Sequence, residues 1–325
     1  MLYPLKFKPI LKDRIWGGEK LKTKFGKKTG KIAACGESWE ISGIEDNVSV
    51  VLNGYLKDNS LQDLIEVYMG DLVGEKVYQQ FGIEFPLLIK FIDAKDILSL
   101  QVHPNDELAN KRHNAYGKTE MWYIIESDEG AEIISGFSRN TSKEEFSAQL
   151  KNKTVEDLLN TEKTKQGDVY FLPAGRIHAI GAGNFLAEIQ QTSDITYRVY
   201  DWERTDNNGN PRELHTELAL DAMDYNTYNN YKTVYHSELN QTNNILSCRY
   251  FTCNILQCNH QIQKDFFNFD TFVIYMCVEG KCKIEYNNDL SESLCAGECI
   301  LVPAVIKDFL ITPDENTKLL EVFIA

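Results

Sequence analysis

Apolar and polar positions alternate in short runs along most of this chain, and Gly, Pro, Asn and Asp break the runs. A two-residue period is the mark of half-buried β-strands. It predicts strands over 47–52, 86–93, 97–103, 120–126, 167–173, 185–190 and 196–200, then over 251–257, 271–277, 281–286, 299–303 and 319–323. Many short strands separated by turns point to a mainly β fold, a sandwich or a barrel. Helix signals are few. Ser142 opens Ser-Lys-Glu-Glu, an N-cap with acids in the first turn. Thr154 opens Thr-Val-Glu-Asp and caps a second short helix through Leu159. Ser60 precedes Leu61, Leu64, Ile65 and Tyr68 at helical spacing. These read as additions to a β framework.

A weak internal repeat divides the chain. Gly167-Asp-Val-Tyr-Phe-Leu-Pro173-Ala174 matches Gly297-Glu-Cys-Ile-Leu-Val-Pro303-Ala304 as Gly, acid, four apolar residues, Pro, Ala. A duplicated β unit explains it, each copy closing an antiparallel sheet pair. The stretch 225–244, rich in Asn, Tyr and Thr, is the linker between copies, so the predicted domains are 1–235 and 236–325, with a helical insertion at about 141–160 in the first. His178 stands four residues after Ala174, and Asp308 stands four after Ala304. One copy therefore keeps a histidine that the other lacks, which predicts one working site and one structural partner.

Lys and Arg total 34 against 48 Asp and Glu, a net charge of −14. A general nucleic-acid binder needs a basic footprint, so that class is excluded. No run approaches the roughly 20 apolar residues of a membrane span, and Met1-Leu2-Tyr3-Pro4-Leu5-Lys6 has no apolar leader core. Of eight cysteines, seven fall between Cys248 and Cys299, and none forms Cys-x-x-Cys. Buried free thiols in a reducing cytoplasm are expected.

The candidate chemistry lies in four segments. In Asp96-Ile-Leu-Ser-Leu-Gln-Val-His103, alternation puts Leu98, Leu100 and Val102 on one face and Ser99, Gln101 and His103 on the other. The second face suits the lining of a polar cavity. In Gly117-Lys118-Thr119-Glu120, Lys118 and Glu120 share a strand face. His178 follows the Pro173–Gly175 turn among apolar residues. Two His, one Glu and one Gln make a four-ligand set for a borderline divalent metal, zinc first. In the fourth segment Glu188 shares a face with Gln190, and Arg198 shares one with Thr196 and Tyr200. An arginine among β-branched and aromatic residues requires an anion, either Asp194 or Asp201 or a ligand phosphate.

In order, Ile15-Trp16-Gly17-Gly18, Gly36-Glu37-Ser38-Trp39-Glu40, the Pro86–Ala94 run with Lys90 and Asp93, Leu98-Ser-Leu-Gln-Val-His-Pro104, Gly117-Lys-Thr-Glu-Met-Trp122, Pro173-Ala-Gly-Arg-Ile-His-Ala179 and Thr196-Tyr-Arg-Val-Tyr-Asp201 resemble the class I, zinc-dependent mannose-6-phosphate isomerases in their short bacterial form. The resemblance is close over about the first 225 residues and loose beyond. It implies a double cupin, that is, two jelly-roll β-sandwiches, and one Zn²⁺ on Gln101, His103, Glu120 and His178. It implies Arg198 as the active-site arginine, Glu188 as the proton-transfer carboxylate, Lys118 beside the metal carboxylate and Ser99 at the substrate phosphate. Lys118 and Arg198 are also its candidate phosphate-binding cations. The expected reaction interconverts mannose 6-phosphate and fructose 6-phosphate, with a phosphorylated hexose as partner and homodimerisation left open. The alternatives are a non-catalytic sugar-phosphate sensor on the same scaffold, which needs no complete metal set, and a metal-dependent oxygenase, which needs neither Gln101 nor Lys118.

Overall fold

The computed structural model describes residues 1–205, 209–287 and 290–324. Twelve strands lie before the predicted linker and in it: β1 (Ile10–Gly18), β2 (Cys35–Ile41), β3 (Leu87–Ala94), β4 (Leu100–Val102), β5 (Glu120–Ser127), β6 (Glu132–Phe137), β7 (Leu159–Lys163), β8 (Val169–Leu172), β9 (His178–Ile180), β10 (Asn184–Gln191), β11 (Tyr197–Tyr200) and β12 (Lys232–Thr233). They form a seven-stranded sheet in the order β1-β2-β3-β10-β5-β8-β12 and a five-stranded sheet in the order β11-β4-β9-β6-β7. Nine more complete the chain: β13 (Gln241–Ser247), β14 (Thr252–Cys258), β15 (Ile262–Asp265), β16 (Val273–Glu279), β17 (Lys281–Tyr286), β18 (Leu290–Cys295), β19 (Cys299–Val302), β20 (Asp308–Pro313) and β21 (Thr317–Phe323). Their sheets run β13-β14-β21-β16-β19 and β15-β20-β17-β18. The fold is mainly β, two antiparallel sandwiches with the same strand order at their centres.

The central strands β3 and β10 are buried along their whole length. One face of the seven-stranded sheet meets the five-stranded sheet through Trp16, Ile92, Trp122, Ile133, Ile180 and Leu186. The other face carries Ile89, Phe91, Met121, Tyr123, Phe185 and Ile189 into a core that also holds Cys253, Ile255, Phe272 and Leu301 from the second sandwich. Both faces being covered explains the almost unbroken apolar runs of these strands. An isolated bridge from Leu5 to Leu301 ties the N-terminus to the second sandwich.

The linker stretch is a strap lying on the first sandwich. β12 pairs with β8, Tyr231 is buried, and the Tyr235 hydroxyl donates to the Gly167 carbonyl at 2.8 Å. Ser60 caps the helix Leu61–Val73 in a capping box with Asp63, and Ser142 caps Lys143–Lys151. Thr154 makes no side-chain cap, and it precedes only a single 3₁₀ turn, Val155–Leu158, because Leu159 already enters β7. The expected strand at 47–52 makes only isolated bridges, at Val50 and Val51. Leu98 precedes β4 and packs with Trp16 and Ile92, apart from Leu100 and Val102.

The two sandwiches match in register at their centres. Glu188 on β10 faces Lys90 on β3 and Trp122 on β5. Glu321 on β21 faces Asn254 on β14 and Tyr275 on β16. Glu321 accepts from Asn254 Nδ2 at 2.9 Å and from the Tyr275 hydroxyl at 2.7 Å, and it pairs with Lys264 Nζ at 2.5 Å. Lys264 also donates to Thr242 at 2.9 Å. Removing one member of a buried ion pair strands the other charge, at a cost of about 3–5 kcal/mol. Lys264→Met should therefore lower the urea midpoint strongly, and Lys264→Met with Glu321→Gln should recover most of the loss. Equal midpoints for the single and double variants would show that the pair is not what holds this core.

Candidate metal centre and active site

The inward faces of two facing sheets bring three groups together. Glu120 begins β5 in the large sheet, His178 begins β9 in the small one, and His103 directly follows β4. Their ligand atoms all lie within 4.8 Å of one another, and all three residues are buried. His103 Nε2 is 3.4 Å from Glu120 Oε2, and His178 Nε2 is 3.3 Å from Glu120 Oε1. Each ring is fixed from behind: His103 Nδ1 bonds the Ile195 carbonyl at 2.9 Å, and His178 Nδ1 bonds the Arg176 carbonyl at 2.8 Å. A carbonyl can only accept, so both Nδ1 atoms carry the proton and both Nε2 lone pairs face Glu120. Gln101 stands opposite His178 in the β4–β9 ladder, on the same face.

Electrostatics keeps the set in ligand form. Burial, then the neighbouring Lys118 ammonium, pushes His103 down to about 3. Burial likewise lowers His178. Burial raises the Glu120 carboxyl, but Lys118 and the two imidazoles outweigh it and hold Glu120 well below the usual carboxylate range. Two neutral imidazoles and one carboxylate are what a divalent ion requires of its ligands. Glu120 Oε1 and His178 Nε2 are buried without a hydrogen-bond partner. Orphaned buried acceptors of this kind are costly unless something else satisfies them, and a cation placed between them would do so. The residues fit a metal ion. Lys118 Nζ reaches His103 Nε2 at 2.9 Å and forms a very short contact with Glu120 Oε2.

Beside this group lies a second buried charge system. Glu188 Oε1 accepts from Lys90 Nζ at 2.7 Å, and Oε2 accepts from Trp122 Nε1 at 2.9 Å. Lys90 also donates to Gln190 Oε1 at 2.6 Å and lies 5.3 Å from the centre of the Trp39 ring. Burial lowers the Lys90 pKa, but the Glu188 and Glu37 carboxylates outweigh it and raise it. Glu37, held down to about 2 as Lys90 and Arg14 overcome its burial, receives Arg14 Nε at 2.8 Å and Trp39 Nε1 at 2.6 Å. Lys90 is a site residue that the strand pattern did not single out. The signal was a lysine inside Leu-Leu-Ile-Lys-Phe-Ile, which a strand buried on both faces must neutralise.

Arg198 pairs with Gln101 across the β4–β11 ladder. Its Nη1 donates to the Glu213 carbonyl at 2.8 Å, and its Nε is buried without a partner. Asp201 accepts instead from Arg204 at 2.7 Å and Arg212 at 2.7 Å. Among the described residues no carboxylate lies within ion-pair distance of Arg198, so neither Asp194 nor Asp201 supplies the expected anion. Ser99 is buried just before β4.

The second sandwich keeps the framework and loses the ligands. Val273 faces Val302 as Glu120 faces Leu172. Lys264 opposite Phe309 takes the place of Gln101 opposite His178. Phe266 and Phe309 stack at 5.9 Å where His103 and His178 stand 4.8 Å apart. The inward counterpart of His178 is thus Phe309 and not Asp308, which is exposed. A one-residue slip after the repeat moves the pattern to the other face.

A family model described as phosphomannose isomerase type I, catalytic domain, matches residues 4–134. The chain is 40% identical over 255 residues to the mannose-6-phosphate isomerase ManA of Bacillus subtilis, covering 77% of this chain and 78% of that one. It is 41% identical over 223 residues to the mannose-6-phosphate isomerase of Streptococcus mutans, covering 69% and 68%. A crystal structure of the mannose 6-phosphate isomerase from Bacillus subtilis superposes with a TM-score of 0.89 at 33% identity, covering 99% of both chains. With this identity sustained over more than two thirds of both chains, the chain belongs to the type I mannose-6-phosphate isomerases.

Proposed function

We propose that this chain interconverts mannose 6-phosphate and fructose 6-phosphate, using one Zn²⁺ held by Gln101, His103, Glu120 and His178. The observation that carries this is the buried His103–Glu120–His178 group with two unsatisfied acceptors, in a chain of this family. A bound divalent ion would supply Lewis-acid polarisation of the C1–C2 oxygens. The chain's own residues do the rest. Glu188 takes the C2 hydrogen of the open-chain aldose as a proton, the C–H electrons form the C1–C2 double bond and the C1 carbonyl electrons pass to O1. The O2 hydroxyl proton moves to O1, and as the C2 carbonyl forms the proton returns from Glu188 to C1. A placed general base contributes about 10²–10⁴-fold. Lys90 and Trp122 hold the Glu188 carboxylate in one orientation. Lys118 and Arg198 place positive charge where the enediolate and the phosphate need it, against the acidic field of the whole chain, and Ser99 offers a hydroxyl to the phosphate. Eight free cysteines suit a reducing compartment, the cytoplasm.

A coupled assay of mannose 6-phosphate conversion should show activity lost with a chelator and regained with Zn²⁺. His103→Ala should lose metal and activity together; elemental analysis finding full metal in that variant would overturn the ligand assignment. Arg198→Lys keeps the charge but loses the planar fork. Turnover should fall by about 10² or more, the scale of one lost preorganised donor, while metal content and melting temperature stay close to the parent's. A destabilised variant with normal turnover in its folded fraction would make Arg198 structural. Stability should depend on pH in a set direction. His103 has a folded pKa of about 3, below its ordinary 6.5, so the unfolded chain binds the proton first as pH falls. The metal-free protein should hold its stability above about 6.5 and lose it progressively toward 3, and His103→Gln should flatten that slope in urea titrations.

A further inference from the structure

Among the described residues the second sandwich holds no His/Cys/Asp/Glu group that could take a metal, yet one of its side chains reaches the segment that carries Lys118 and Glu120. Tyr250 stands at the tip of the β13–β14 hairpin, in the turn where Cys248 N donates to the Phe251 carbonyl at 3.0 Å. Its hydroxyl donates to Asp106 Oδ2 at 2.8 Å. Asp106 is three residues beyond His103 and opens the helix Asp106–His113. Its other oxygen, Oδ1, accepts from Gly117 N at 3.0 Å and from Gln191 Nε2 at 2.9 Å. Gln191 Oε1 in turn accepts from Thr119 N at 2.9 Å, and Gln191 N donates to the Thr119 carbonyl at 3.1 Å. Thr119 lies between Lys118 and Glu120.

One carboxylate thus joins the end of the His103 strand, the start of the Glu120 strand, the end of β10 and the second sandwich. The approach at Gly117 is close: a Cβ there would meet Asp106 N at 2.6 Å, so the 117–120 segment is pressed against the Asp106 turn. Burial raises Asp106, but its bonds from Gln191, Tyr250 and Gly117 outweigh that and hold it below the usual range. It is an anion, and the donors to it are charge-assisted. Burial, then the bond to Asp106, pushes Tyr250 up to about 12, which keeps the phenol a donor at all working pH. Asp106, Gln191 and Tyr250 also line a cleft of about 970 Å³. The cleft lies on the Asp106 side of the network, while Lys118, Thr119 and Glu120 are themselves buried.

We propose that Tyr250 is a positioning residue for the metal centre, acting through Asp106 and Gln191 to set the Lys118–Glu120 segment relative to His103. The proposal rests on the metal reading of the His103–Glu120–His178 group, and its consequence is that the second sandwich serves the site by geometry. The test uses the full-length protein, stripped and reloaded with Zn²⁺ or Co²⁺. Tyr250→Phe keeps the ring and removes only the donor. It should weaken Zn²⁺ binding in a chelator competition by about tenfold, the low end for groups that orient ligands, and change the visible absorption of the Co²⁺ form. Turnover should fall with KM for mannose 6-phosphate within about twofold. Tyr250→Phe combined with Asp106→Asn should bind Zn²⁺ no more weakly than Asp106→Asn alone, because the phenol acts only through that carboxylate. Native Zn²⁺ affinity and an unchanged Co²⁺ spectrum in Tyr250→Phe would overturn the proposal, even if its melting temperature dropped. A wild-type protein that takes up no metal would take down the reading of the site, and this inference with it.

Discussion

A carboxylate buried at the centre of a β-sandwich must be met by a cation or by several donors, or the sheet cannot close around it. This chain meets the demand more than once. Glu188 and Glu321 occupy the same register position in their sandwiches, and each receives donors from both neighbouring strands. Lys90 and Lys264 supply the charge, but from different places, one beside the glutamate in its own sheet and one from the sheet opposite. Glu120 is the third case. It already has Lys118 on one oxygen, and its other oxygen is left over. That surplus acceptor separates a site built to take a further cation from one already balanced.

The same comparison explains how one half could give up the chemistry and keep the fold. Phe266 and Phe309 stand where the two imidazoles stand, Val273 where Glu120 stands, and the Lys264 ammonium reaches across to Glu321. The aromatic pair is compensated by stacking and the lysine by a salt bridge, while Val273 joins the apolar core. The backbone pattern therefore stays intact while the ligand set is gone.

Much of this was legible in the sequence. Alternation placed Gln101 and His103 on one face and Lys118 with Glu120, although Leu98 and Ser99 lie outside the strand, and the Gly167 and Gly297 segments do lie on matching strands, β8 and β19. Strands β1 and β2 were not legible: β1, at the sheet edge, carries charged residues, is partly exposed and changes register against β2. The stretch 225–244 looked like a linker throughout, since its two-residue pairing at Lys232–Thr233 leaves no periodic trace and the exposed start of β13 at Gln241 alternates no better. Phe309 was missed because sequence alignment fixes an offset but not a face, and a single slipped residue exchanges inside for outside. Lys90 and Asp106 were missed for a different reason: their partners, Glu188 and Tyr250, lie far along the chain.

The shared core has a consequence for how the chain comes to be folded at all. The outer face of the seven-stranded sheet is covered in part by residues of the second sandwich, which are synthesised after it. At roughly 5–20 residues per second, the final ninety or so residues take roughly 5–20 s to appear. For that interval the first sandwich, its His103–Glu120–His178 group already synthesised, lacks the part of its outer cover that Cys253, Ile255, Phe272 and Leu301 supply. That interval is therefore the period in which nascent chains of this protein are most exposed to one another.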